Sequence, residues 1–444
     1  MTAIPPHERA NLWVVCTAQF LCLAGMTAVL PLLPLYLQQI GVDGRDDLRW
    51  WTGILGAAPF AVAVFATPMW GALADRLGHK PMMVRSVVGT AMASVGMGIS
   101  HSPLALLGWR GLQGAVSGVF PAAVGLLSSL TPASRLGNTL AILQATRSAG
   151  VLCGPLLGGI LADFIGIRPL FIGVGTIALL MAIACAWILE ERTEADAAIA
   201  PPGPSSGMLR LVRQPAVAGM LGLILIYQAA VMASWPMLAL WVEQLGVRTD
   251  AVATTTGLVV FAHGLPPMML ATSWTAMVPR LGIRPLVGFA VVASGLTNIA
   301  VGLAANIEAV LFLRLLSGAA MAGFVPLSLQ WLASLSHGGA QGRMAGLSTT
   351  AMMAGNVLGS VLGSWIAVEI SLEATFWLPG ILLAVAGVVF LGARPAPGAE
   401  HAVGGVEKTR VRHSRFGPTP SQVGAAYPHR TSHACAGLSS SRKR

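Results

Sequence analysis

Charge is what this chain of 444 residues lacks: 10% of its residues are Asp, Glu, Lys or Arg, while 55% are hydrophobic. A soluble domain carries about 25% charged side chains, because its surface has to be solvated. The scarcity excludes a soluble globular enzyme. Cysteine is scarce too: Cys16, Cys22, Cys153, Cys185 and Cys435 include no pair at zinc-ligand spacing, and four lie in apolar runs. Neither a disulfide framework nor a metal site is expected. The net charge of +10 is a poor guide to nucleic acid, because it is concentrated at one end. From Ala393 to Arg444 nine basic residues (Arg394, Lys408, Arg410, Arg412, Arg415, Arg430, Arg442, Lys443 and Arg444) face only Glu400 and Glu407.

What the chain has is long apolar runs and a mean hydropathy of +0.73. They fall near residues 12–37, 51–70, 81–100, 103–129, 138–162, 168–189, 215–241, 251–275, 284–304, 307–334, 343–367 and 372–392. A hydrocarbon core about 30 Å thick takes roughly 20 residues per helical crossing. Twelve transmembrane helices are therefore expected, since lipid cannot satisfy exposed backbone groups and these runs exceed barrel strands. The first is too long for a signal sequence and should remain as a membrane helix. With both termini inside, eleven basic residues before the tail fall in inner segments (Arg9, Arg76, Lys80, Arg85, Arg135, Arg192, Arg210, Arg213, Arg280, Arg284, Arg343) and four in outer loops (Arg45, Arg49, Arg168, Arg248). Both termini are expected to be cytoplasmic.

The twelve runs divide six and six. Residues 190–214 contain a charged stretch and Pro201-Pro202-Gly203-Pro204, the composition of a linker. Around it the sequence repeats: Leu30-Pro31-Leu32-Leu33 through Gly41-Val42 recurs as Trp235-Pro236-Met237-Leu238 through Gly246-Val247. Arg76-Leu77-Gly78 recurs as Arg280-Leu281-Gly282, Arg110 as Arg314, and Gly150, Gly154 and Gly158 as Gly355, Gly359 and Gly363, all at a spacing of 204 or 205. The expected organisation is two pseudo-symmetric six-helix bundles, 1–189 and 215–392, joined by the cytoplasmic linker 190–214 and followed by a disordered basic cytoplasmic tail, 393–444. Parallel repeats of this kind are used for alternating access to a site between them.

Three motifs stand out. Gly71-Ala72-Leu73-Ala74-Asp75-Arg76-Leu77-Gly78-His79-Lys80 joins the second and third runs, with glycines that permit a tight reversal. Arg110-Gly111-Leu112-Gln113-Gly114 places a cation about 10 Å into the fourth run, where burial costs about 2.5–3.5 kcal/mol without a partner. Gly150-Val151-Leu152-Cys153-Gly154-Pro155-Leu156-Leu157-Gly158-Gly159 gives the fifth run a smooth face. Together, over roughly residues 10–392, these resemble the signature motifs of the major facilitator superfamily. The likeness is to its twelve-helix drug:proton antiporter branch, the multidrug and tetracycline-type exporters. The resemblance implies a conformational switch at Gly71, Asp75, Arg76, Gly78 and Lys80, with Asp75 in a charge relay. It also implies proton coupling around Arg110 and Gln113, and an exporter helix motif at Gly150, Gly154, Pro155, Gly158 and Gly159. In the second half Pro279 stands where the acid of the loop belongs, so only the first copy is expected to switch. Arg110 could instead snorkel to the interface.

Arg147 departs from the exporter pattern and either lines the inner cavity or reaches the headgroups. Sorting the seventeen acids leaves none for a helix centre. A cavity flanked by Arg110, Arg147 and Arg314 without a carboxylate favours anionic, zwitterionic or neutral amphiphiles over lipophilic cations. Proton coupling would then rest on Asp75, on an edge acid such as Glu243, or on His263, whose side chain titrates near pH 6.5 when unperturbed. A lone histidine inside a membrane is more often hydrogen-bonded structurally, and the neighbours Gly264, Pro266 and Pro267 mark a broken helix. By fold analogy Gln19, Tyr227, Gln228, Trp235 and Phe324 are candidates for substrate contact, while Trp50 and Trp51 look like interfacial anchors.

The sequence is thus read as an all-α integral membrane protein of the inner membrane, multi-pass and with no enzymatic activity. The expected function is proton-coupled efflux of drugs or other small amphiphilic or anionic compounds by alternating access. The alternative is uptake or facilitated transport of a small metabolite. No Gly-rich nucleotide loop ending in Lys-Ser/Thr is present, so the proton gradient is the expected driving force and no cofactor is called for. Its expected partners are the substrate and the lipid bilayer, with no nucleic acid, and it is expected to act as a monomer.

Overall fold

A computed structural model describes residues 6–190, 213–335 and 341–393. The linker residues 191–212 and the tail from residue 394 lie outside the described residues, as does the side chain of Asp75. Among the described residues all regular structure is helical. The first half comprises α1 (Pro6–Gln39), α2 (Arg45–Leu77), α3 (His79–Gly98), α4 (Pro103–Ala115), α5 (Val119–Leu130), α6 (Ala133–Ile165) and α7 (Ile167–Ile188). The second comprises α8 (Pro215–Ser234), α9 (Leu238–Gln244), α10 (Val252–Ala276), α11 (Val278–Leu281), α12 (Ile283–Gly302), α13 (Ile307–Met321), α14 (Phe324–Ser334), α15 (Gln341–Glu369) and α16 (Ala374–Gly392).

Each apolar run corresponds to a helix or a pair of helices. Ten of these segments are long and apolar enough to cross a membrane. The other two, α3 and α10, have 20 and 25 residues and more polar side chains. Three expected unbroken spans are interrupted: the fourth at Val116–Gly118, the seventh at Trp235–Met237 and the tenth at Ala322–Gly323. Gly118 adopts φ +128°, a left-handed conformation that favours glycine. One expectation is corrected in the other direction: α10 runs unbroken through Pro266 and Pro267. α2 begins at Arg45, and Trp51, about a turn and a half along it, packs against the far-side core.

Local chemistry sets several boundaries. Gly78 and Gly282, at φ +92° and +81°, each reverse the chain in one residue. Ser102 and Asn306 cap α4 and α13, accepting from the amides of Ala105 (3.2 Å) and Ala309 (2.9 Å). Both pairs are 204 positions apart.

The repeat extends to contacts that the sequence does not display. Gly150, Gly154 and Gly158 of α6 lie against Phe20, Ala24 and Ala28 of α1, and Gly355, Gly359 and Gly363 of α15 lie against Leu225, Ala229 and Ala233 of α8. The absence of a Cβ lets backbones approach closely, which drives helix association where lipid is as apolar as the side chains. Trp70 stands beside Arg85, its indole ring 3.5 Å below the guanidinium. Its counterpart Trp274 stands beside Phe289. Each pair sits at the break in its four- or ten-span helix, where Trp70 donates to the Ala115 carbonyl (2.6 Å) and Trp274 covers Gly323.

Twelve crossings put both ends of the described chain on one face, here the near face; the opposite is the far face. A single apolar core occupies the far side and draws on both halves, including Leu33, Tyr36 and Phe171 from the first and Trp241, Val259 and Phe376 from the second. On the near side the core divides. One cluster, with Val15, Met83 and Leu126, belongs to the first half; another, with Val217, Val287 and Leu327, belongs to the second. The halves are joined at the far face and parted at the near face.

Candidate transport path and the seam between the halves

Two helices bury an arginine in the same register. In α4 the buried positions are Leu106, Arg110, Gln113 and Gly114; in α13 Val310, Arg314, Ser317 and Gly318, each 204 further on, are buried together with Ala320. Spacings of three and four residues place such a set on one helix face. Arg110 is 2% exposed. Its Nε donates to the Leu55 carbonyl of α2 (3.0 Å) and its Nη1 to Gln113 Oε1 (2.6 Å). The snorkelling alternative is thereby set aside. Arg314 is 4% exposed and lies over the Phe376 ring of α16, 5.1 Å from its centre. Its Nε and Nη2 have no hydrogen-bond partner, nor does Ser317 Oγ. His263 of α10 adjoins this group: its Nδ1 is unpartnered, and its own carbonyl packs on Gly318, four residues beyond Arg314. Pro59 and Gly114 make the equivalent backbone contact in the first half.

The expectation that Arg110, Arg147 and Arg314 flank one cavity is corrected. Arg110 and Arg314 are each enclosed within their own half and share no partner. Arg147 is exposed, with its guanidinium over Phe120, 4.6 Å from the ring centre. Of the switch motif, Gly78 makes the reversal, Arg76 is exposed and Lys80 half-buried. Gly71 is exposed inside α2 with open space at its Cβ position, so it makes no close helix approach here. The near face is where the two cores of the described residues are apart.

The exporter motif has two faces. Its Gly150, Gly154 and Gly158 pack within the half, whereas Pro155 and Gly159 meet Gly257 and Ala253 of α10, across the seam. The same seam has a second, pseudo-equivalent crossing, where the Ser360 carbonyl of α15 meets Gly53 of α2 and Ser364 donates to the Arg49 carbonyl (2.6 Å). Each crossing is clamped at the far face. Asp163 of α6 accepts from the Thr254 amide at the start of α10 (2.7 Å), and Arg49 of α2 donates to the Ala367 carbonyl near the end of α15 (2.7 Å). A carboxylate at a helix N-terminus and a guanidinium at a C-terminus both complement the helix dipole.

Of the substrate candidates, Tyr227, Gln228 and Phe324 come together. With Ser328 and Met352 they line a narrow, mostly apolar cavity among α8, α14 and α15. Tyr227 and Phe324 lie 4.2 Å apart between ring centres, and the Tyr227 hydroxyl donates to Met321 Sδ (3.0 Å). Gln19 is elsewhere, fully buried on α1 and donating to the Leu143 carbonyl (3.4 Å). Trp235 is half-buried against the far-side core. Sequence reasoning missed Asn356, which accepts from Gln228 (2.7 Å), along with Asp163, Arg49 and Trp70. Asn356 sits beside Gly355, where the first half has Val151; comparing the aligned repeats position by position would have exposed it.

A membrane protein of two equivalent helical halves, sealed at one face and parted at the other around buried polar residues, has the form of a secondary transporter. The chain belongs to the Major Facilitator Superfamily, whose model matches residues 15–253 and 220–425. It is 29% identical over 392 residues to the multidrug resistance protein MdtG of Dickeya zeae (strain Ech586), covering 88% of this chain and 94% of that protein. It is 29% identical over 389 residues to MdtG of Escherichia coli O17:K52:H18 (strain UMN026 / ExPEC), with the same coverage. Among solved structures it resembles a bacterial homolog of the human lysosomal transporter Spinster, in an inward-facing and unoccupied conformation (TM-score 0.67, 16% identity, 94% of this chain and 100% of that one). A D-xylose-proton symporter shares the fold as well (TM-score 0.69, 16% identity, 88% and 98%).

Proposed function

We propose that the protein exports drug-like amphiphilic compounds across the inner membrane by alternating access, in exchange for protons. The observation that carries this reading is the placement of the exporter motif: Pro155 and Gly159 lie in the seam that must part when the far face opens. The relatives named for multidrug resistance, alike over most of their length, support the same substrate class. Eleven basic residues against four support a cytoplasmic near face, and in that orientation the conformation described is open inward. Arg76 and Lys80 then lie at the cytoplasmic face, and the loop that carries them takes up partners when that face closes. The protein acts as a monomer within the bilayer, with the proton gradient in place of a cofactor.

Substrate flux in inside-out vesicles, with and without an imposed pH gradient, tests this reading on the wild type and Arg110→Ala. Uptake into such vesicles is expected to rise with the gradient and to fall at least tenfold in the variant. Flux indifferent to the gradient would remove proton exchange and leave the fold untouched.

A further inference from the structure

The two halves treat their buried arginine differently. In the first, position 113 supplies the acceptor that Arg110 requires. The repeat puts Ser317 at that position in the second half, and its short side chain leaves Arg314 unbonded at Nε and Nη2. An isolated cation away from water is costly unless an anion or a set of acceptors meets it. Among the described residues the structure records no ion pair for Arg314; those of Arg49 with Asp46 and Arg248 with Asp250 lie elsewhere. Glu373, one turn before Phe376, accepts from Gln244 and makes no ion pair with Arg314. Arg314 and Ser317, each more than nine-tenths buried, thus bring donor atoms without partners to one place, beside the equally buried and unpartnered Nδ1 of His263.

We infer that Arg314 and Ser317, beside His263, form a binding site for one monoanionic group, a carboxylate or a halide. The guanidinium fork matches a planar carboxylate and holds a halide equally well between its N–H groups. The Ser317 hydroxyl adds a third donor from the same helix face. Pro266 and Pro267 lack the amides that would bond the Ala262 and His263 carbonyls one turn back. The α10 wall is therefore the one able to yield and admit the anion. That the group belongs to a transported compound rests on the function proposed above; anion binding by itself does not.

Thermal unfolding of the purified full-length protein in detergent tests the site, using sodium benzoate and sodium chloride as probes against sodium sulfate at equal ionic strength. Wild type is expected to show a saturable rise in Tm with benzoate. Ser317→Gln installs the acceptor of the first half, so it should fold normally and need at least tenfold more benzoate for the same rise, as should Arg314→Gln. A rise with both probes identifies a general monoanion site, and a rise with benzoate alone a site for organic carboxylates; either supports the inference. No rise in folded wild type, or equal rises in wild type and both variants, overturns it and leaves Arg314 solvated by water alone. If vesicles transport no drug-like compound while the benzoate response persists, the transport reading fails and the site stands.

Discussion

Arg110 and Gln113 bind each other, and the two are not equally dispensable. Removing Gln113 leaves a buried cation with one carbonyl partner, whereas removing both side chains leaves only a neutral carbonyl to satisfy. Leaving a buried polar group unpaired costs about 1–3 kcal/mol, and more when it is charged. Gln113→Leu is therefore expected to lower thermal stability more than the double variant Arg110→Leu with Gln113→Leu, an order that unfolding of the purified proteins can check. Equal or reversed stabilities would count against a charged Arg110 held by Gln113. At this scale the sequence is half legible. A lone arginine within an apolar run announces itself, and so does an amide three residues on. The Leu55 carbonyl does not, because a backbone acceptor on another helix leaves no trace in residue type.

Helices meet through glycine in two distinct ways. Gly359 faces Ala229 inside the second half, while Gly159 faces Ala253 across the seam. A side chain at the first obstructs assembly of a bundle; at the second it obstructs only closure of the far face. Gly359→Val is expected to abolish accumulation of folded protein, and Gly159→Val to leave membrane levels near wild type while flux falls below a tenth. Membrane immunoblots beside vesicle flux separate the two. The Asp163 clamp acts on the same seam, and a side-chain cap is worth about 0.5–2 kcal/mol, a factor of roughly 2 to 30 in population. In a background without the natural cysteines, labelling of Ala253→Cys by an impermeant maleimide applied at the far face should rise by that factor when Asp163→Ala is added. The glycine stripes were readable as close-packing faces from their spacing of four. Which glycine crosses the seam was not, since the same spacing serves both purposes. The breaks at Val116–Gly118 and Ala322–Gly323 were hidden as well, because small residues there continue the apolar run.

For the whole molecule, the twelve crossings and the internal repeat could be read from run lengths and a constant offset. Its conformation could not. Opening one face or the other keeps the packing within each half and exchanges only the contacts between halves, so composition is blind to the choice. Every contact described above lies before Arg394, and a chain ending there is expected to match full-length flux within twofold in the vesicle assay. The seam itself has an inheritance. Arg49 and Asp163 both belong to the first half, and the repeat puts Ala253 and Val368 at their counterpart positions. Two copies of the first half, docked by the same pseudo-twofold axis, would set Arg49 opposite Asp163 at both crossings. Two copies of the second would set Ala253 opposite Val368 and have no polar clamp. Divergence has separated an acid from its base and left each to hold a helix end of the partner half. The two halves are no longer interchangeable: the first could still close upon itself, and the second closes only upon the first.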